Sequence, residues 1–174
     1  MAKERIFKIT KCKRCPKKDV DFACYACTAN IILLDCKAFY KLFCNLEKYI
    51  FNSSAQYEED VSLYSIPAVV NGALAAELAI KSLILRDGSG FELTHNLENL
   101  FNALPKQDKK LISEKIITVS AQNNKTLNEN IHRISNIFNE YRYFFQEDHV
   151  GCTNFFCEFV NIVCNYALSL EENR

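Results

Sequence analysis

The chain has 174 residues, 49% of them hydrophobic, and only four glycines and three prolines interrupt it. This length suits a single domain, and the scarcity of helix breakers together with long runs of 3.6-residue periodicity predicts an all-α protein. Twenty-one basic residues balance twenty-one acidic ones, so the protein has no overall field that would draw it to nucleic acid or to a membrane.

The N-terminal segment is basic. Residues 1–20 carry eight Lys or Arg and two acidic residues, a net charge of +6. We therefore predict a basic arm over residues 1–21, followed by a helical domain over residues 22–174. Such an arm is usually a solvated terminus, and phosphate binding is the alternative. Because this segment has no apolar stretch typical of a signal peptide, we expect a cytoplasmic protein with reduced thiols.

Two CxxC pairs, Cys12 with Cys15 and Cys24 with Cys27, are separated by eight residues. Four thiolates in two close pairs fit a tetrahedral structural zinc site, which would leave no open position for catalysis, so we expect no catalytic metal. The alternative is that these cysteines are small buried hydrophobic residues. The remaining five cysteines fit ordinary core positions: Cys36, Cys44, Cys152, Cys157 and Cys164.

The first long helix is predicted from Phe22 to Phe51. Apolar residues at helical spacing describe its expected core face: Ile31, Leu34, Phe39, Leu42, Phe43, Leu46 and Ile50.

The stretch Ile66–Leu85 is predicted to be the central helix, because it is apolar nearly all round. Pro67 suits its first turn, and Asp87-Gly88 suits its end. Glu77 and Lys81 lie four residues apart and can pair on one face. They form either a narrow solvated stripe or a polar site in which Glu77 anchors a cation from elsewhere in the chain. Their charges interrupt the longest apolar run, so no membrane span is expected.

Two shorter helices follow the central one. The first, His95–Leu104, is predicted to be capped by Thr94 and stopped by Pro105. The second extends from Asp108 to about Ala121. These two helices are expected to connect the central helix to the C-terminal half of the bundle.

Thr126 and Glu129 form a capping box that is predicted to open the fourth major helix. Its apolar stripe is either core or a helix–helix seam, with core as the default: Leu127, Ile131, Ile134, Phe138, Tyr141 and Phe145. The last helix is predicted over residues 153–171. It should bury Phe156, Phe159, Val160, Val163, Ala167 and Leu170.

Three of these segments, AAELAIKSLIL, THNLENLFNAL and NIHRISNIFNEYRYFFQE, resemble the HEPN domain over roughly residues 22–170. The best-marked parts are the E-x-x-x-K helix and the F-x-x-x-R-Y-x-x-x-E segment. The resemblance implies an all-α HEPN-like bundle of five to six helices, preceded here by the short Cys-rich basic arm. It also implies a homodimer. Many members are metal-independent ribonucleases of toxin–antitoxin, abortive-infection and CRISPR systems, and others are inactive nucleotide-binding or partner modules.

Active members of that family carry an R-x(4–6)-H motif, and Arg142 and His149 match it with six intervening residues. The resemblance implies that these two residues are catalytic. Glu77 is expected to complete the catalytic site by holding Arg142 in place. Lys81, Tyr143 and Glu147 are expected to support them. His95 matches a position that relatives also fill, and we interpret it as a capping or packing residue.

The side chains of Arg142 and His149 fit the chemistry of RNA cleavage. Cleavage of RNA without a metal needs a base for the 2′-hydroxyl proton and a cation for the charged phosphorane. DNA lacks that hydroxyl. A two-fold dimer would bring two Arg–His pairs to one composite site. Our first hypothesis is therefore a homodimeric ribonuclease of a defence or toxin–antitoxin system, with RNA and a cognate antitoxin or other protein as partners. The alternative is a catalytically inactive helical module that binds a partner or a nucleotide, in which Arg142 and Glu77 form a structural ion pair.

Overall fold

The computed structural model describes residues 25–51, 58–120, 123–142 and 153–172, and all regular secondary structure in these ranges is helical. The eight helices are α1 Tyr25–Leu46, α2 Lys48–Phe51, α3 Glu58–Arg86, α4 Leu97–Asn102, α5 Lys106–Ser120, α6 Asn124–Arg133, α7 Ile137–Arg142 and α8 Thr153–Glu172. Only Glu47 separates α1 from α2, and a three-residue turn separates α6 from α7. The described ranges therefore contain six helical units, and the prediction of an all-α bundle of five to six helices is confirmed.

Helix α3 is the centre of the bundle, as its apolar composition predicts. It packs against α1, α2, α4, α7 and α8, most extensively against α1. No residue between Ala68 and Leu85 is exposed. The segment Leu63–Arg86 is long and apolar enough to cross a membrane by length and composition alone, but 78% of its apolar window is buried inside the fold. This burial is what a core helix requires.

Helix α3 begins two turns earlier than predicted, at Glu58, and it contains Pro67 in its interior. Proline removes one backbone hydrogen bond and strains the preceding turn. The helix nevertheless continues through this point because packing against its neighbours outweighs the local preference. The predicted end is confirmed, since Gly88 adopts a left-handed φ of 81° directly after the last turn.

The predicted core face of α1 is wrong in part. Ile31 and Leu34 are each 58% exposed, and Leu42 is 48% exposed. The buried residues described in α1 also recur at helical spacing, and of the predicted face only Phe43 is among them: Ala29, Leu33, Cys36 and Phe43. Because α1 is apolar on two sides, its periodicity does not reveal which side faces α3.

Phe43 fixes the closest approach between α1 and α3. A Cβ atom at Gly72 would lie 2.6 Å from Cδ2 of Phe43 and 3.1 Å from Cζ of Phe156. The Phe43 and Phe156 rings meet edge to face, with centroids 6.2 Å apart. Glycine at position 72 therefore makes room for an aromatic contact that joins α1, α3 and α8.

The N-cap of α4 is Asn96, not Thr94. The Asn96 Oδ1 atom accepts a hydrogen bond from the Asn99 backbone N–H at 2.8 Å, whereas the Thr94 hydroxyl accepts one from the Asn96 N–H. Asparagine is the better capping residue of the two. The helix therefore begins at Leu97, and His95 lies in the preceding loop rather than in the first turn.

The capping box of Thr126 and Glu129 is also wrong, because Asn123 caps α6 by accepting a hydrogen bond from the Thr126 N–H at 3.0 Å. The predicted long helix is interrupted at residues 134–136. The default interpretation of its stripe as core is confirmed for the described members, all of them buried: Leu127, Ile131, Ile134, Phe138 and Tyr141.

Helix α8 agrees closely with its prediction. Five of the six residues expected in the core are buried, and Leu170 is half-buried. Cys36, Cys157 and Cys164 are buried as expected, but Cys44 is exposed on α1. Burial raises the pKa of Cys157 to about 12, so this thiol remains protonated near neutral pH.

Candidate functional site

A buried carboxylate lies at the middle of α3. Glu77 is 2% exposed and Lys81 is 8% exposed. The Lys81 Nζ atom donates a hydrogen bond to Glu77 Oε1 at 2.6 Å. The pairing expected from their spacing is therefore present, and the alternative of a solvated stripe is wrong. The other carboxylate oxygen, Oε2, accepts a hydrogen bond from Nδ1 of His95 at 2.8 Å.

His95 reaches this carboxylate from the loop between α3 and α4. One face of its imidazole stacks on Phe138 of α7, with ring centroids 4.8 Å apart and an interplanar angle of 25°. The Lys81 Nζ atom lies 5.1 Å from the centroid of the Phe91 ring, within the range of a cation–π contact. The cluster of Glu77, Lys81 and His95 therefore lies where α3, the α3–α4 loop and α7 meet.

The start of α4 is attached to the turn between α6 and α7. The Leu97 N–H donates a hydrogen bond to the Ser135 carbonyl at 2.8 Å. The Asn96 side-chain amide donates another to the Asn136 Oδ1 atom at 3.0 Å. These two bonds fix the backbone directly after His95, which helps to hold the imidazole against Glu77.

The protonation of the cluster follows from its hydrogen bonds. A carboxylate can only accept, so Nδ1 of His95 carries the proton of that bond. A neutral His95 then has an unprotonated Nε2. The charges of Glu77 and Lys81 cancel, so the cluster is balanced without a charge on the imidazole. Within the described ranges, every buried side-chain nitrogen or oxygen has a hydrogen-bond partner.

Arg142 is the last residue of α7, one helical turn after Phe138. Its side chain lies outside the described residues, as do Tyr143, Glu147 and His149, together with the thiols of Cys12, Cys15, Cys24 and Cys27. The predicted contact between Glu77 and Arg142 and the predicted zinc site therefore stay predictions. The described ranges contain no group of three or more His, Cys, Asp or Glu side chains that could hold a metal ion.

Tyr141 precedes Arg142 and is buried. Burial raises the pKa of its phenol, and the neighbouring Glu140 carboxylate raises it further. The phenol is therefore neutral under ordinary conditions, and Tyr141 contributes no negative charge beside the motif.

The sequence interpretation missed the contact between His95 and Glu77. These residues are 18 positions apart and belong to different elements. The available signal was indirect: a buried carboxylate needs partners for both oxygens, and Lys81 provides a donor for only one. The sequence alone does not show that His95 provides the second donor.

The HEPN domain family model matches residues 50–163. No curated protein and no solved structure matches the chain significantly. The family match covers about two thirds of the chain, from the end of α2 into α8, and includes the cluster of Glu77, Lys81 and His95 as well as the Arg142–His149 motif. On this match, the chain belongs to the HEPN domain family.

Proposed function

We propose that this HEPN domain is a metal-independent ribonuclease of a defence or toxin–antitoxin system, with Arg142 and His149 as catalytic residues. The supporting observation is the buried Glu77 carboxylate, which Lys81 and His95 hold at the junction of α3 and α7. Phe138 stacks on this cluster, and Arg142 follows one turn later on α7. A charge-balanced polar cluster thus contacts α7 one turn before the arginine of the R-x6-H motif.

In the proposed reaction Arg142 binds the scissile phosphate bidentately and stabilises the charge that develops on the phosphorane. His149 transfers a proton, as an imidazole can near neutral pH. Glu77 accepts a further hydrogen bond from Arg142, because a carboxylate has about four acceptor positions. Tyr143 and Glu147 are proposed to support the motif. The products are a 2′,3′-cyclic phosphate and a 5′-hydroxyl.

Purified protein is expected to cleave single-stranded RNA in the presence of EDTA and to leave the matching DNA intact. His149→Ala and Arg142→Ala should each abolish cleavage, because each removes a group that acts on the reacting phosphate. Gel assays with end-group analysis for the cyclic phosphate measure this. His132→Asn is the control, since His132 lies outside the motif, on α6, where it bonds Glu98, and it should cleave like the wild type. A folded wild-type protein that is inert towards a broad RNA pool would refute the assignment.

We also propose that the active unit is a homodimer with a composite site. Three apolar side chains on one side of α1 support this proposal, because about half of each is exposed: Ile31, Leu34 and Leu42. Such a patch is typical of a surface that a partner covers.

Light scattering at micromolar concentration should give twice the chain mass. Leu34→Glu should give the mass of one chain, because a carboxylate in the contact would lose its hydration. Leu111→Glu on α5, also at an exposed leucine, is the matched control and should remain dimeric. A wild-type protein that is monomeric throughout would contradict the proposal.

The second candidate is a catalytically inactive HEPN module that binds a nucleotide or a protein partner such as an antitoxin. The observation that favours it is that both oxygens of Glu77 already have partners in α3 and in the α3–α4 loop. A buried cluster of this kind also suits a purely structural role. In this case the basic arm, with zinc bound by its two CxxC pairs, would dock the partner.

A further inference from the structure

We propose that His95 is the general base of the cleavage reaction and accepts the 2′-hydroxyl proton at its Nε2 atom, with His149 as the general acid. This inference rests on the proposed ribonuclease function. It assigns separate roles to two imidazoles of the chain and adds a residue outside the R-x6-H motif to the site.

Three restraints hold the His95 ring. Nδ1 is bonded to Glu77 at 2.8 Å, one ring face lies on Phe138, and the hydrogen bonds of Asn96 and Leu97 fix the backbone that follows. The side chain is still 49% exposed. Within the described ranges Nε2 makes no hydrogen bond, so this nitrogen is the open edge of an otherwise fixed ring.

The hydrogen bond to Glu77 sets the tautomer. Because Nδ1 carries the proton, the lone pair of a neutral ring is on Nε2, where a base needs it. When Nε2 takes a proton, the Glu77 carboxylate stabilises the imidazolium. A buried carboxylate plays this part for the histidine of a serine protease triad. Lys81 balances Glu77 beforehand, so a neutral ring leaves no net charge in the cluster.

The chain offers an internal comparison. His132 also bonds a carboxylate through Nδ1, that of Glu98, at 2.8 Å. Its side chain is 76% exposed, and that of Glu98 is 34% exposed, so water competes for this contact. The His132–Glu98 pair therefore has the same two groups as the His95–Glu77 pair, but its carboxylate is not buried.

The contact of His95 with α7 relates its ring to Arg142, the last residue of that helix. Phe138 lies on the His95 ring, and four residues of helix, roughly 6 Å of rise, separate it from Arg142. The His95 ring therefore contacts α7 one helical turn before the residue proposed to bind the phosphate.

The proposed cleavage step balances in atoms and electrons without a metal ion or a water molecule. Nε2 of His95 takes the 2′-hydroxyl proton, and the 2′-oxygen forms a bond to the adjacent phosphorus. The bond from phosphorus to the 5′-oxygen breaks, and that oxygen takes a proton from His149. The products are a 2′,3′-cyclic phosphate and a 5′-hydroxyl. The two imidazoles end with exchanged protonation states and return to the start by proton exchange with solvent.

His95→Asn is the decisive variant. The asparagine amide replaces the Nδ1–H donor towards Glu77 and removes Nε2. We expect His95→Asn to cleave RNA roughly 10²–10⁴-fold more slowly than the wild type. Its RNA affinity and its thermal unfolding should be nearly unchanged. The low-pH limb of the pH–rate profile should also disappear. His132→Asn makes the same replacement at the exposed pair and should retain full activity.

A substrate with sulfur in place of the 5′-bridging oxygen distinguishes base from acid, because a thiolate leaves without protonation. This substrate should restore cleavage by His149→Ala and should not restore cleavage by His95→Asn. The opposite pattern of rescue would overturn the assignment of roles.

The two proposals fail in different ways. If the wild type cleaves RNA, Arg142→Ala and His149→Ala are inactive, and His95→Asn cleaves like the wild type, only the role of His95 is refuted. If the folded wild type cuts no RNA, the ribonuclease function and the role of His95 are refuted together.

Discussion

Glu77→Ala is expected to destabilise the fold by about 3–5 kcal/mol, because it leaves the Lys81 ammonium buried without a counter-charge. Lys81 is 8% exposed, and its Nζ atom bonds the Glu77 carboxylate at 2.6 Å. The same change removes the acceptor that fixes His95. Urea unfolding followed by circular dichroism measures the loss.

The matched control replaces both charges with apolar side chains of similar volume. Glu77→Leu combined with Lys81→Met should be close to the wild type in stability, or above it, because the desolvation of both charges is removed along with their attraction. A single Glu77→Ala variant as stable as the wild type would show that Lys81 reaches water in solution, contrary to the packing described.

Phe43→Ala is expected to lower the free energy of unfolding by about 3–5 kcal/mol, the usual cost of removing a buried aromatic ring. Phe43 is fully buried. Its ring packs against Phe156 and Tyr40, with centroid distances of 6.2 Å and 6.3 Å, and it fills the space beside Gly72. Collapse around the cavity is limited because three helices meet there. Thermal and urea unfolding should agree on the loss.

Leu111→Ala on α5 provides the comparison, because that leucine is 42% exposed. It should change stability by no more than about 0.5 kcal/mol. Equal effects at Phe43 and Leu111 would contradict the contact of α1 with α3 and α8.

Local patterns in the sequence were sufficient to predict the helices and the pair of Glu77 and Lys81 at the centre of α3. The apolar run around Glu77 predicts a central helix, and the four-residue spacing to Lys81 places both charges on one face. Helix boundaries were harder, since competing caps differ by a few tenths of a kcal/mol and Asn96 is as plausible as Thr94 until the neighbouring turn is known.

Contacts between residues far apart in the sequence could not be predicted. His95 meets Glu77 in a loop whose next residues are attached to the α6–α7 turn through Leu97 and Ser135, and periodicity within one segment cannot show such a contact. The orientation of α1 is a similar problem. Both of its sides are apolar, and the choice of Phe43 over Leu42 depends on the space that Gly72 leaves in another helix.

The proline inside α3 divides that helix into two parts of unequal stability. Before Pro67, Leu63 and Tyr64 are exposed, and after it every residue to Leu85 is at least half-buried. Since Pro67 lacks an N–H, the helical ladder is one bond short where the two parts join. We therefore expect the first two turns to fray and re-form on their own, at a fraction of the global unfolding free energy. The turns that carry Glu77 and Lys81 should exchange their amide protons only when the whole bundle opens.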